Sequence, residues 1–483
     1  MKGDKHCNMD SKKFIIGGEF KNSSEVREIK YPYTDETISS VFLGTRQDTN
    51  DAIHSAQEGS KLTRLLSSHQ RATILNSIAD SLGDMEDLII ETLINEGGKT
   101  YAVAKTEVTR SRETLKNSAE EAKRIFGEII SLDGSPGGEG YTGYVKRIPV
   151  GIVLGITPFN YPLNLACHKI GPAIASGNAI ILKPSSKTPL SSLILGKIII
   201  DAGFPKKAIS VIPCDVKNAE EMVRDIRIGY VSFTGSSPVG WHLKSICSRR
   251  IGLELGGNAG VVIHNDADIR YAVKRICYGG FGNAGQSCIS VQRVFVQEEI
   301  YDNVLENLTM LTKNLVIGDP HDPHTDIGPM ISIHDTQRAM HAIHTAEKNG
   351  ATILCGGSCQ GSTLKPTILI DTKPNMAVNN QEMFAPIITI TPYTTFDHAI
   401  HAINQSSFGL QAGVFTTNLD LAFQAYNDIE AGAVIINDIP TFRIDSMPYG
   451  GMKQSGIGRE GPRYAIEEMT ELKMMVLHQK IST

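Results

Sequence analysis

No apolar stretch in this chain of 483 residues is long enough to cross a bilayer, for which about 18–20 uncharged residues are needed. The best candidate, LILGKIII at 193–200, is broken by Lys197. The opening residues, MKGDKHCNMDSKK, lack the apolar core of a secretory leader, so a cytoplasmic setting is expected. Charge of one sign is not in excess either. Lys and Arg number 47 against 52 Asp and Glu, and the formal charge of −5 argues against a nucleic-acid partner. Cysteine is sparse. Cys7, Cys167, Cys214, Cys247, Cys277, Cys288, Cys355 and Cys359 are irregularly spaced, which excludes a secreted disulfide scaffold. The closest pair, in CGGSC at 355–359, has no second pair at zinc-like spacing; it reads as a turn, and no metal site is expected. Internal repeats and low-complexity segments are missing. With 41% hydrophobic and 20% charged residues, the chain is neither disordered, collagen-like nor coiled-coil. Its length predicts two to four domains or lobes, each able to bury a core without staples.

What is present has a clear order along the chain. Residues 1–12 are polar and read as a frayed end. FIIGGEF (14–20) reads as a strand and turn. Residues 50–130 carry long helical periodicity with few Gly or Pro. SPGGEGYTG (135–143) is a sharp turn cluster that marks a boundary or a hairpin. From 149 onward the texture changes. VGIVLGI (150–156), AIILK (179–183), ISVIP (209–213) and YVSFTGS (230–236) read as buried strands. Helices at 165–177 and 191–204 lie between them. This alternation is the signature of a doubly wound parallel sheet. A second α/β region begins near 255, with strands at 293–297, 386–393 and 431–438 and a helix at 301–315. The tail MTELKMMVLHQK (469–480) reads as an edge strand able to pair with another subunit.

Five segments carry candidate chemistry, and each alone has a commoner structural explanation. VSFTGSSPVG (231–240) places Gly235 and Ser236 at a strand-to-helix turn, where backbone N–H groups face a phosphate. It lacks the G-x-G-x-x-G spacing and otherwise reads as a plain turn. LELGGN (253–258) delivers Glu254 at a strand end, either as a general base or as a surface carboxylate. FGNAGQSCIS (281–290) sets Cys288 after a glycine-rich stretch, either as a nucleophile or as an inert buried thiol. ITPFNYPLN (156–164) stiffens Asn160 between two prolines, so that its amide can donate to an oxyanion or satisfy a turn. ILKPSSKTP (181–189) puts Lys183 beyond a strand end, suited to a ribose or phosphate or simply solvated.

Taken together and in this order, these segments resemble the aldehyde dehydrogenase superfamily. The resemblance runs over nearly the whole chain, from IGGEF onward. It is most specific in LELGGN and GQSC, with Cys288 lying 34 residues after Glu254, and continues through EMFAP (382–386) and MPYGGMKQSGIGREG (447–461). It implies an α/β fold with two doubly wound parallel-sheet domains and a small oligomerisation lobe. The implied division is a dinucleotide-binding domain at 1–129 and 145–255, a catalytic domain at 256–462, and an oligomerisation segment at 130–144 and 463–483. Cys288 would be the nucleophile, Asn160 and the Cys288 N–H the oxyanion donors, and Glu254 the base that hydrolyses the thioester. Lys183 would meet the adenosine ribose, Gly235 and Ser236 the pyrophosphate, and Glu382 the nicotinamide ribose, with Phe384 packing beside the ring. Relatives that prefer NAD often carry a Glu where this chain has Ser186; with Lys187 adjacent, NADP is expected to be accepted, alongside NAD. Homodimers or homotetramers are implied. Retention of Glu254 points to a free carboxylic acid as product rather than an acyl-coenzyme A.

FRIDSMPYGG (442–451) is similar to the branch holding lactaldehyde, non-phosphorylating glyceraldehyde-3-phosphate and phosphonoacetaldehyde dehydrogenases. Tyr161, Arg443 and Arg110 become substrate candidates, although Arg443 could equally pair with Asp445 or another carboxylate. Members acting on dianions usually carry an Arg before the nucleophile, where this chain has Ser287. The phosphonate members have a His at Tyr161 and a Lys at Gln292. Charged hydrogen bonds are worth about 1.5–3 kcal/mol each, so their loss favours a small uncharged hydroxyaldehyde over a phosphorylated or phosphono-aldehyde. A catalytically idle member would lack Cys288, Glu254 or Asn160. An esterase working without nucleotide would not need Lys183, Ser236 or Glu382. All of these residues are present.

Overall fold

The strands Ile152–Ile156, Ala179–Lys183, Ile209–Val211, Tyr230–Thr234 and Arg250–Glu254 form the parallel centre of an eight-stranded sheet. The computed structural model describes residues 11–479, so the expectations for 1–10, for Cys7 and for 480–483 lie outside the described residues. Ser11 and Lys12 are described and are held. Lys12 bridges to Val41, and the Ser11 hydroxyl lies 2.7 Å from that of Ser40, so the expected fraying does not extend to them. In space the five central strands run 209, 179, 152, 230, 250. The winding reverses between Ile152–Ile156 and Tyr230–Thr234, and the loops leaving the carboxyl ends of those two strands diverge to open a crevice. Those loops carry Asn160 and Ser236. Ile152–Ile156 is buried along its whole length, which is why it reads as an uninterrupted apolar run rather than an alternating one.

Helices cover this sheet: Arg46–Thr63, Ser68–Asp84, Glu86–Gly97, Tyr101–Ala122 and Pro162–Ala175. Their ends follow local chemistry. Thr45 with Asp48 and Ser67 with Gln70 form capping boxes, each satisfying two otherwise orphaned N–H groups. Pro162 opens its helix at a position whose N–H needs no partner.

A second, seven-stranded sheet is built from Ala259–Ile263, Val291–Gln297, Ile387–Tyr393, Gln411–Phe415 and Ala433–Ile436, with Thr367–Ile370 and Thr352–Cys355 at one edge. All its pairings are parallel except that of Thr352–Cys355. CGGSC forms the turn after that edge strand, with Gly356 and Gly357 at positive φ. A third, antiparallel sheet joins Glu128–Ser131, Tyr141–Pro149 and Thr470–His478. The C-terminal strand is its edge, and Leu472, Met474, Met475, Val476 and Leu477 are all exposed there. Among the described residues no helix is long and apolar enough to cross a membrane, and no group of three or more His, Cys, Asp or Glu is placed to hold a metal ion.

Candidate active site

Three backbone segments converge on Cys288. The first is the turn before it, where Asn283 (φ 52°), Ala284 (φ 53°) and Gly285 (φ 67°) all adopt left-handed backbone. Two non-glycine residues in that region are uncommon and store strain, a feature concentrated at functional sites. The second is the LELGGN turn. A Cβ at Gly257 would strike the Cys288 carbonyl oxygen, and one at Gly256 would strike the Glu382 carboxylate, so only glycine admits this approach. The third is the loop after strand Ile152–Ile156. Its Asn160 donates from Nδ2 to the carbonyl of Gln286 at 3.0 Å, while Oδ1 meets no partner. One Nδ2 hydrogen therefore ties the loop to the cysteine segment and the other is free. The Cys288 N–H meets no acceptor among the described residues. These two donors are what an oxyanion beside the sulphur would need.

The thiol itself is half-buried. Burial pushes it up to about 12, against the pull of its hydrogen bond to Tyr449 and of Arg443; Glu382 and Glu254 push the same way as burial. Glu254 ends the strand Arg250–Glu254 and is 6% exposed, with neither carboxylate oxygen partnered. Burial, reinforced by Glu460, raises its pKa well above the usual carboxylate range. A carboxyl group with two free oxygens and weakened acidity is poised to take a proton from water.

Around these groups lies a chain of buried charges that the sequence did not announce. Lys99 pairs with Glu107 at 3.0 Å, and Glu107 accepts from the N–H groups of Leu163 (2.9 Å) and Asn164 (3.1 Å). Its carboxylate thus anchors the helix start that follows Asn160 and Tyr161. Arg110 holds Asp445 with two bonds, of 3.0 and 2.7 Å. Asp445 also receives His168 at 2.9 Å and Asn164 at 3.2 Å. Burial and Arg443 lower the His168 pKa, and its Nε2 lies 2.9 Å from Asp445 and 3.1 Å from Arg443 Nη2. Arg443 meets Asp445 only at 3.9 Å; its partner is Glu460, at 3.0 Å. Glu460 also takes Lys169 at 3.3 Å. Both candidate substrate arginines are therefore engaged by carboxylates, Arg110 through Nε and Nη2 and Arg443 through Nη2, while Arg443 Nε meets no hydrogen-bond partner among the described residues. Tyr161 is placed beside Cys288, with Lys99 3.9 Å above its ring. Gln292 is not at the substrate side. It is buried and staples the carbonyls of Val378 and Gln381 and the N–H of Met383, which fixes the segment carrying Glu382.

The residues expected at a dinucleotide lie along the crevice. Ser236 caps the helix Ser237–Ile246, and Gly235 donates its N–H to the Glu254 carbonyl at 3.0 Å. Lys183 ends its strand half-buried, with its charge disfavoured by burial, and its ammonium has no hydrogen bond or ion pair among the described residues. A cation kept that way fits hydroxyl or phosphate oxygens of a nucleotide. Glu382 accepts from the Gly257 N–H at 3.0 Å, and burial raises it to about 7. Phe384 is held at φ 48° with its ring edge-on to Phe159. Ser186 sits beside Lys187, whose ammonium is 3.1 Å from Asp335, so part of the cation expected there is already neutralised. Volume alone would mislead. A cavity of about 600 Å³ opens by Arg293, Thr391 and His398, and neither Cys288, Glu254, Asn160 nor the residues placed for the dinucleotide line it.

The likenesses to known proteins agree with this geometry. The sequence model of the aldehyde dehydrogenase family matches residues 20–475. The chain is 41% identical to a 3-sulfolactaldehyde dehydrogenase of Priestia aryabhattai, over 96% of this chain and 97% of that one. It is 38% identical to a lactaldehyde dehydrogenase of Methanococcus maripaludis, over 92% and 96%. The structure of glyceraldehyde-3-phosphate dehydrogenase from Methanocaldococcus jannaschii complexed with NADP superposes with a TM-score of 0.90 at 34% identity, covering 94% of this chain and 100% of that one. The chain belongs to the aldehyde dehydrogenase family.

Proposed function

From that membership, we propose that the protein oxidises a small, uncharged hydroxyaldehyde such as lactaldehyde to its carboxylic acid, with NADP or NAD as oxidant. One observation carries the substrate reading. The two candidate arginines, Arg110 and Arg443, are each held by a buried carboxylate, Asp445 and Glu460, and Ser287 stands before the nucleophile. A dianion there would compete with a buried carboxylate for each guanidinium, and breaking such a pair costs about 3–5 kcal/mol. The lactaldehyde dehydrogenase relative supports the same class.

In this reading Cys288 attacks the aldehyde carbon. The developing oxyanion is held by Asn160 Nδ2 and the Cys288 N–H. A nicotinamide bound in the crevice would supply the hydride acceptor. The thioester left on Cys288 is attacked by water whose proton Glu254 takes, releasing the acid and the thiol. Lys183 and Glu382 would hold the two riboses, and the amides around Ser236 the pyrophosphate. Ser186, lacking a carboxylate, leaves room for a 2′-phosphate.

A second reading has its own support. The buried network counts Lys99, Arg110, Lys169 and Arg443 against Glu107, Asp445 and Glu460. Four cations thus face three carboxylates, beside a Glu254 whose ionisation burial disfavours, which would suit an aldehyde bearing a single anionic group. A relative named for 3-sulfolactaldehyde points the same way. Initial rates with lactaldehyde, glyceraldehyde 3-phosphate, phosphonoacetaldehyde and succinate semialdehyde, with each cofactor in turn, decide between them. The highest kcat/KM on lactaldehyde supports the first reading, and a preference for any of the anionic aldehydes overturns it.

The sheets support the division proposed above: a dinucleotide-binding domain at 1–129 and 145–255, a catalytic domain at 256–462, and the segments 130–144 and 463–483 forming an oligomerisation lobe. An exposed apolar edge such as Leu472–Leu477 favours burial against a second copy, hence a homodimer or homotetramer.

A further inference from the structure

The Cys288 sulphur has one side-chain hydrogen-bond partner among the described residues, and it is a phenol: Tyr449 Oη lies 2.9 Å from Sγ. Tyr449 is 2% exposed, and its hydroxyl has no other partner among the described residues. The ring is fixed from two sides. Its backbone forms an isolated antiparallel bridge with Glu460, N–H to carbonyl at 3.1 Å one way. The Glu460 carboxylate holds Arg443 at 3.0 Å, and the Arg443 guanidinium lies 3.6 Å above the centre of the Tyr449 ring. Tyr449, Glu460 and Arg443 thus close a circuit. The bridge sets where the carboxylate sits, the carboxylate sets the guanidinium, and the guanidinium caps the ring whose hydroxyl points at sulphur. Ile289 and Leu410 complete the apolar wall around this pair.

We propose that Tyr449 is a further catalytic residue, whose O–H donates to the Cys288 sulphur and holds the thiolate ready for attack, with Arg443 as its positioning residue. The inference rests on the reading of Cys288 as the nucleophile. The proton traffic is simple. In the resting site thiol and phenol share one hydrogen bond, which either can donate. On ionisation the S–H bond breaks, its electron pair stays on sulphur, its proton passes to water, and the phenol O–H turns to donate. Tyr449 keeps its own proton throughout, because burial, with Cys288 and Glu254 beside it, raises its pKa well above the ordinary 10. It is a donor and not a base. A guanidinium over the ring face withdraws density from the phenol and strengthens that donor.

The balance of groups around sulphur shows why the hydroxyl matters. Burial, Glu382 and Glu254 all oppose the thiolate, and the Tyr161 phenol also faces it. Tyr449, through its hydrogen bond, and Arg443, through its charge, favour it. Without the hydroxyl, the Arg443 charge would stand against burial and two carboxyl groups.

The test is Tyr449→Phe, which keeps the ring and its stack on Arg443 and removes only the O–H. The readout is the rate of inactivation by iodoacetamide across pH, measured on the enzyme without cofactor, beside kcat/KM and the unfolding midpoint. The alkylation profile should move to higher pH by about one unit, so that at any pH below it alkylation is about tenfold slower. The loss in kcat/KM should be similar, with the unfolding midpoint little changed. Superimposable profiles for the variant and the wild type would overturn the inference, provided Cys288→Ser is inactive and resists the reagent. Activity retained by Cys288→Ser would remove the nucleophile reading itself, and this inference with it.

Discussion

Burial disfavours the working form of both groups: it holds the Cys288 thiol near 12 and raises Glu254 well above the usual carboxylate range. Each must lose a proton to work: Cys288 to attack, Glu254 to receive from water. Activity should therefore climb with pH through the neutral and alkaline range. Below the thiol pKa, the acylation rate gains about tenfold per pH unit. A kcat/KM profile flat between pH 6 and 9 would contradict this. The motifs that carry Cys288, Glu254 and Asn160, the residues proposed for the chemistry, were legible as short segments, and Gly256 and Gly257 show why two of them sit so close. That Arg443 could be engaged by a carboxylate was foreseen; which carboxylates hold it and Arg110 was not. Their partners, Asp445 and Glu460, come from segments far away or face the arginine only through the fold, and no local pattern assigns them. Tyr449 escaped for the same reason. It lies within a segment that the resemblance singled out, but its 2.9 Å contact with sulphur is set by tertiary packing across 161 residues.

At the scale of elements, the strand–helix alternation from 150 to 254 read directly from sequence, since buried parallel strands are short continuous apolar runs separated by longer helical stretches, of which Pro162–Ala175 is buried on every side. The helix expected at 165–177 begins earlier, at Pro162, because proline at the first turn starts a helix rather than breaking one. Spatial order was not readable, because the reversal between Ile152–Ile156 and Tyr230–Thr234 is a matter of pairing. That reversal places Asn160 and Ser236 on either side of one crevice. The loop with Asn160 is then held by Glu107 through two backbone N–H groups and balanced by Lys99. Glu107→Ala strands a buried ammonium and frees both donors. Denaturant unfolding should show a loss of about 3–5 kcal/mol, and a change below about 1 kcal/mol would mean that the pair is not the anchor described.

Among the described residues, three larger sheets carry the architecture, with three two-stranded sheets beside them, and the chain crosses between them. The excursion at 135–143 and the C-terminal strand, far apart in sequence, meet in the antiparallel sheet, where Tyr141–Pro149 pairs with Thr470–His478 along its length. The turn cluster and the apolar tail were each visible as oddities, and their pairing was foreseen only through the family resemblance. A free edge with five consecutive or near-consecutive exposed apolar side chains is an aggregation hazard unless another copy covers it. Leu472→Glu with Met474→Glu should shift the protein to a smaller species in sedimentation or light scattering. An unchanged mass would place the subunit contact elsewhere.

The account turns on Cys288 forming a covalent acyl intermediate that Glu254 clears. Rapid mixing of Glu254→Gln with lactaldehyde and excess NADP tests this most directly. A burst approaching one reduced cofactor per active site, followed by a steady rate at least about a hundredfold below that of the unaltered enzyme, is the predicted result. Turnover without a burst, at a rate near that of the unaltered enzyme, would contradict it.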